Sequence, residues 1–165
     1  MLAGIGILKI GLQEGFLMDA NHGIAVRDIE SRDYLPAAKV WRTALGDPRV
    51  TDESFAQIRE MMKHDSRYRT FVAETNGNVV GLVTTVEVLA FNLPNGYIQV
   101  NELAVLPEFQ HCGIGKTLME RVEELARERN ISLIGITSGF QRTGAHEFYE
   151  HLGYQKISFW LRKRI

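Results

Sequence analysis

The chain is short of cysteine, of net charge and of long apolar runs, and each shortage removes a class of protein. A single cysteine, Cys112, in 165 residues forbids an internal disulfide and suits a reducing cytoplasm, where we expect the protein to work. One cysteine and five scattered histidines give no metal-ligand spacing, so no metal is expected. Lys and Arg number 19 against 20 Asp and Glu, a formal charge of −1. No overall field therefore draws the chain to nucleic acid or to an anionic membrane. The one basic run, Arg162-Lys163-Arg164, reads as a solvated strand end. The longest apolar run, residues 1–8, is too short to cross a bilayer. Repeats, low-complexity tracts and interdomain linkers are absent. What remains is 45% hydrophobic and 24% charged, the composition of one globular domain with a sizeable core.

Residues 1–17 lack a basic leader and an Ala-x-Ala cleavage site, and Lys9 interrupts their apolar part, which speaks against a signal peptide. We expect residues 1–23 to be an N-terminal extension and residues 24–165 to be the domain. Met18 is a candidate natural start. Gln13-Glu14-Gly15 can be encoded by a purine-rich stretch of the ribosome-binding type, with Phe16-Leu17 as the spacer. A pyrimidine-rich gene sequence at codons 13 to 15 would refute this. The other reading is a real N-terminal strand, or an arm packed on a neighbour.

Alternation over Ile24-Ala25-Val26-Arg27 predicts a first strand. Ser31 is placed to cap a helix with Leu35, Ala38, Trp41 and Leu45 on its inner face, ended by Gly46-Asp47-Pro48. A second helix over 52–63 turns Phe55, Ile58 and Met62 inward. Strands 70–74 and 79–88 flank Asn76-Gly77, a hairpin signal. Asn92-Leu93-Pro94-Asn95-Gly96 is the next turn, before a fourth strand over 97–105. Ile114, Leu118, Val122 and Leu125 form a helical stripe to about Arg129. Residues 131–137 are a continuous apolar run suited to a buried strand. A short helix over 143–151 is ended by Gly153, and a final strand is expected over 154–164. The strand–helix–strand unit over 97–137 demands a parallel pair joined by a right-handed crossover. The fold class is thus α/β (α+β): a mixed, mostly antiparallel sheet with a central parallel pair and flanking helices.

The residues at that crossover carry the chemistry. Leu103-Ala104-Val105-Leu106-Pro107 ends an apolar strand, and Gln110-His111-Cys112-Gly113-Ile114-Gly115-Lys116 opens a helix. A helix N-terminus offers unpaired N–H groups and partial positive charge, so it holds phosphate. The two glycines let its backbone approach a pyrophosphate. Gly115-Lys116-Thr117 looks like the tail of a Walker A loop, but that motif needs glycine where Gln110 stands, and no strand ends in the Asp of a Walker B.

Two segments in order, Asn101-Glu102-Leu103-Ala104-Val105-Leu106-Pro107 with Gln110-x-x-Gly113-x-Gly115, and Ala145-His146-Glu147-Phe148-Tyr149 with Gly153-Tyr154, resemble the GNAT superfamily of N-acetyltransferases from about residue 24 onward. The resemblance implies the GNAT fold and acetyl-CoA as co-substrate. Its pyrophosphate would lie on Gln110, His111, Cys112, Gly113, Ile114, Gly115 and Lys116. Its pantetheine arm would run between the fourth and fifth strands along Leu103, Ala104 and Val105, with the Val105 N–H toward the thioester oxygen. Tyr149 falls on the family's general acid, and Glu102 is the candidate base. Read without the family, both are a core aromatic and a solvent-facing strand residue. Relatives often carry Asn, in contact with the cofactor, where this chain has Arg142. Cys112 replaces a frequent glycine.

The implied reaction is direct attack of a primary amine, here a small molecule, on the thioester. The alternatives are a protein N-terminal or lysine acetyltransferase, or a non-catalytic acyl-CoA-binding regulatory module. The acceptor pocket is expected from residues 41–51, the loop 91–96 and the final strand. A weaker resemblance over 55–88 and 145–163 to aminoalkylphosphonate N-acetyltransferases would give Arg49, Arg67 and Arg69 an anion to bind. A homodimer stays open.

Overall fold

In the computed structural model, residues 23–158 and 160–165 are described. The readings for residues 1–17 and for a start at Met18 lie outside them. Five strands form one sheet in the order β1-β2-β3-β4-β5: β1 (Ala25–Asp28), β2 (Tyr68–Thr75), β3 (Asn78–Ala90), β4 (Leu93–Val105) and β5 (Ile134–Ile136). All neighbours are antiparallel except β4 and β5, which are parallel. The crossover between them is α3 (Ile114–Glu128). The mixed sheet expected from the chain order is the one observed.

The sheet separates two cores. On one face α1 (Tyr34–Leu45) and α2 (Asp52–Met62) bury Ala37, Ala38, Val40 and Phe55 against Val72, Leu82 and Ala104. On the other, α3 buries Ile114, Leu118, Met119, Val122 and Leu125 against Phe71, Val83, Ile98 and Val100. Phe148 and Tyr149 of α4 (Thr143–His151), and Leu152 just after it, pack beside them. The α3 stripe is the one its periodicity predicts. The β2–β3 turn is likewise set locally, with Asn76 and Gly77 both in the left-handed region at φ 49° and 75°.

The helices α1 and α2 differ from expectation. Leu35 is exposed, because the helix begins at Tyr34 after a 3-10 turn over Ser31–Asp33 and presents Ala37, Ala38 and Val40 inward. Ser31 is not the anchor. Asp33 is: it accepts from the Glu30 N–H at 2.8 Å and from Arg27 at 2.6 and 2.9 Å. Arg27 also holds Glu74 at 2.6 Å, tying β1, β2 and the start of α1 together. In α2 Ile58 is exposed and Arg59 is buried, its guanidinium donating to Thr70 Oγ1 at 2.8 Å.

Two corrections fall at the end of the chain. The apolar run 131–137 yields a strand of only three residues, half-buried, and among the described residues β5 has a partner on one edge alone. The expected strand over 154–164 is not seen among the described residues: none of those beyond α4 pairs with any strand. Ile157, Trp160, Leu161 and Ile165 stand exposed there.

Candidate active site

The site begins with one extra residue in β4. Before it, Ile98, Gln99 and Val100 pair with Ile134, Gly135 and Ile136 of β5, and the Ile98 N–H points to β5, donating to Leu133 O at 3.0 Å. The register with β3 then slips: Thr85 faces Val100 but Thr84 faces Glu102, leaving Asn101 as a β-bulge. Past the bulge the alternation is reversed. The Leu106 N–H points to β3, donating to Val80 O at 2.9 Å, so Leu103 and Val105 turn their backbone groups to the other side. No strand meets them there, since pairing with β5 stops at Val100. The Val105 carbonyl on that side accepts from Gln110 Nε2 at 3.1 Å. The result is a slot between β4 and β5 with free backbone donors on one wall.

The loop 110–116 closes one end of the slot. His111 and Gly113 both adopt left-handed conformations, φ 61° and 83°, which fold the chain sharply into α3. No side chain caps α3, so the N–H groups of its first turn have no partner inside the helix. Cys112 points back, its thiol 3.4 Å from Gln110 O. Lys116 is exposed and 3.7 Å from Glu120. Gly115 has a second duty. A Cβ there would lie 3.2 Å from Phe148 Cζ, so the glycine also lets α4 pack against α3. Gly115→Val should cost about 1–3 kcal/mol by overpacking, read from a denaturation midpoint. An unchanged midpoint would mean that Phe148 simply moves aside.

At the far end lies a cleft of about 290 Å³, walled by Trp41 and Leu45 of α1, Asp47, Glu102 and Leu103 of β4, Ile136 to Gly139 after β5, and Arg142, Ala145 and Tyr149 of α4. Glu102 is half-buried and accepts from Thr84 Oγ1. Burial pushes its carboxyl above the usual carboxylate range, and the threonine bond only partly offsets this. Tyr149 stacks edge-on with Phe148 at 5.2 Å and Tyr154 at 6.0 Å. Burial raises its phenol too, partly countered by the Arg142 charge, so it keeps its proton at neutral pH. Arg142 caps α4 and reaches toward Leu45 O at 3.5 Å. It therefore belongs to the cleft, and none of the residues 110–116 lines that cleft.

The structure thus brings Glu102, Tyr149, Leu103 and Arg142 together and joins them to the loop 110–116 through the open edge of β4. Of the residues expected to wall an acceptor pocket, Trp41, Leu45 and Asp47 line this cleft, while residues 91–96 and the described residues of the C-terminal segment do not. Arg49, Arg67 and Arg69 are each held by an aspartate, Asp47, Asp65 and Asp28. The bulge at Asn101 and the Thr84 contact were not anticipated; a polar Asn-Glu pair inside an apolar strand was their only trace. A larger groove of about 630 Å³ lies by α1 and the Asn76-Gly77 turn, but its Arg27, Asp33 and Glu74 are engaged with one another. Among the described residues no cluster of His, Cys, Asp and Glu can hold a metal, and no helix is long and apolar enough to cross a membrane.

Residues 25–154 match the model of the Acetyltransferase (GNAT) family. The chain is 27% identical over 149 residues to the aminoalkylphosphonate N-acetyltransferase of Salmonella typhimurium, covering 81% of this chain and 95% of that one. It is 34% identical over 101 residues to an uncharacterized N-acetyltransferase of Methanocaldococcus jannaschii, 58% of this chain and 45% of a much longer protein. Its fold superposes with a TM-score of 0.74 on an aminoglycoside N-acetyltransferase, AAC(6')-Iy, solved in complex with CoA, at 15% identity over 86% of this chain and 95% of that one.

Proposed function

The chain belongs to the GNAT acetyltransferase family, and on that premise we propose that it moves the acetyl group of acetyl-CoA to the primary amine of a small molecule. The observation that carries the reading is the opened β4 edge, which leads from the uncapped N-terminus of α3 to a cleft holding one carboxylate and one phenol. The pyrophosphate rests on the N–H groups of residues 110–116. The pantetheine arm takes the place of a missing strand along Leu103, Ala104 and Val105, pairing with backbone rather than side chains. The Val105 N–H then faces the thioester oxygen, where negative charge grows during attack. Arg142 meets the acyl end of the co-substrate or the acceptor, not the pyrophosphate.

The acceptor amine must be neutral to attack, yet alkylamines are mostly protonated near pH 7. Glu102, in its carboxylate form and facing the cleft, takes the surplus proton through water. The nitrogen bonds to the acetyl carbon, the C–S bond breaks, the thiolate takes its proton from Tyr149 Oη, and the proton that the new amide nitrogen sheds restores the phenol. The cleft volume suits a small acceptor better than a polypeptide, and the Salmonella relative is named for a small aminoalkylphosphonate. Arg49, Arg67 and Arg69 each pair with an aspartate and none of them lines the cleft. Arg142 is the cationic side chain that lines the cleft.

Acetyl-CoA at about 100 times its dissociation constant should raise stability by about 2.7 kcal/mol, read as a shift in thermal unfolding. No shift with acetyl-CoA, and a shift with ATP and magnesium, would overturn the reading. A panel of small amines, aminoalkylphosphonates and aminoglycosides among them, assayed by free-thiol release against a peptide N-terminus, identifies the acceptor. Co-substrate binding without thiol release for any amine would instead support the regulatory module.

A further inference from the structure

The bulge in β4 also decides which side chains share the cleft. In a regular strand, neighbouring side chains face opposite sides of the sheet. Val100 packs in the core beneath α3, so alternation from it turns Asn101 toward the α1 face. Ala104 packs in the core beneath α1 and Leu103 against the other core, so alternation back from them turns Glu102 toward the α1 face as well. The β3 partner of Glu102 agrees: Thr84 lies two residues from Leu82, which belongs to the α1 core. Two consecutive side chains therefore share one face, which the extra residue allows. Both line the cleft. Thr84 Oγ1 ties Glu102 to the sheet. Asn101 is exposed, and its side-chain amide has no hydrogen-bond partner among the described residues.

We propose that Asn101 is a positioning residue, whose amide holds the water through which the acceptor's surplus proton reaches Glu102. This role rests on the acetyltransferase reading. A water relays a proton well only when its own hydrogens are aimed, and an amide, with an acceptor oxygen and two donor hydrogens, can aim them. Asn101 Oδ1 accepts one hydrogen of the water. The other hydrogen then points to the Glu102 carboxylate, and a lone pair of the water faces the ammonium. The ammonium N–H bond breaks and its proton joins the water oxygen. The aimed proton of the water joins the carboxylate. A cation and an anion become a neutral amine and a carboxylic acid, which returns the proton to solvent after turnover. The other titratable groups lining the cleft are Asp47, Arg142 and Tyr149. Asp47 has both oxygens on Arg49, at 2.8 and 2.6 Å. Arg142 is a cation and takes no proton from an ammonium, and Tyr149 keeps its proton for the thiolate.

The pH–rate profile of Asn101→Ala decides it, measured with the best acceptor of the amine panel. Near neutral pH, kcat/KM should fall by about 10-fold, a part of what the base itself supplies, while acetyl-CoA affinity and melting temperature stay native. The deficit should shrink as pH rises toward the acceptor's own pKa, because the amine then arrives neutral and has no surplus proton to lose. Asn101→Ser keeps a short hydrogen-bonding group and should show a smaller deficit of the same pH dependence. It carries the test if the alanine variant fails to fold. Added to Glu102→Gln, Asn101→Ala should cost little more, since the two residues act as one unit. Native kcat/KM in both single variants, a deficit that is equal at every pH, or additive losses in the double variant each overturn the proposal. No thiol release by the native chain with any amine instead overturns the acetyltransferase reading, and this role with it.

Discussion

Tyr149→Phe should lower turnover by about 100-fold, near the low end of what a general acid supplies, while acetyl-CoA affinity and stability change little. The substitution removes one hydroxyl and leaves the ring, so the edge-on contacts with Phe148 and Tyr154 persist. The loss should be greatest for acyl donors whose thiolate is most basic, since those need the proton most. The native pH profile carries a further sign. Burial holds the Tyr149 phenol above its ordinary value, so the limb of the rate profile that reports loss of its proton lies at higher pH than an exposed tyrosine would set. Native-like turnover in the variant, with a saturating acceptor, would make Tyr149 a core aromatic and leave protonation to water.

Glu102→Gln should lower kcat/KM by about 100-fold or more near neutral pH and abolish the acidic limb of the profile. The base works only when ionised, and burial raises its pKa. Activity in the native chain therefore falls as pH drops through a value above the ordinary carboxylate range. Stability runs the opposite way. The folded chain holds this proton more tightly than the unfolded chain, so ionisation costs stability as pH rises from the ordinary carboxylate range through the raised value, and the full cost is present above it. Gln keeps the acceptor for Thr84 Oγ1 and carries no charge. The variant should thus melt no lower than the native chain at neutral pH while turning over far more slowly. A fall in melting temperature with unchanged kcat/KM would mark Glu102 as structural. Retention of the acidic limb would assign it to another group.

The loop and the two anchor segments were readable because their pattern is local. Glycine at 113 and 115, and a strand running into a helix, are stated by neighbouring residues, and a helix N-terminus binds anions wherever it occurs. The inner faces of α1 and α2 were less readable. Their periodicity allowed Leu35 and Ile58 inside, but Arg27 gripping Asp33 sets the start of α1, and Thr70 draws Arg59 inward from α2. Those partners lie on β1 and β2, out of reach of a local pattern. The surroundings of Arg49, Arg67 and Arg69 were equally out of reach: a sequence shows a cation, and only geometry shows that Asp47, Asp65 and Asp28 lie against them.

By itself the sequence determined the element order as far as α4, the parallel crossover, the α3 stripe, the Asn76-Gly77 turn and the glycine-bearing loop into α3, because helix and strand periods and turn chemistry act within a few residues. The tertiary structure alone decided the rest. A bulge at Asn101 exists only relative to β3, and it is what reverses the backbone of Leu103 and Val105 toward the slot. Burial, which raises Glu102 and Tyr149 together, depends on α1, β5 and α4 meeting around them. The last apolar segment reads as a strand in its sequence window, yet a strand is a property of two lengths of backbone, and among the described residues it pairs with none.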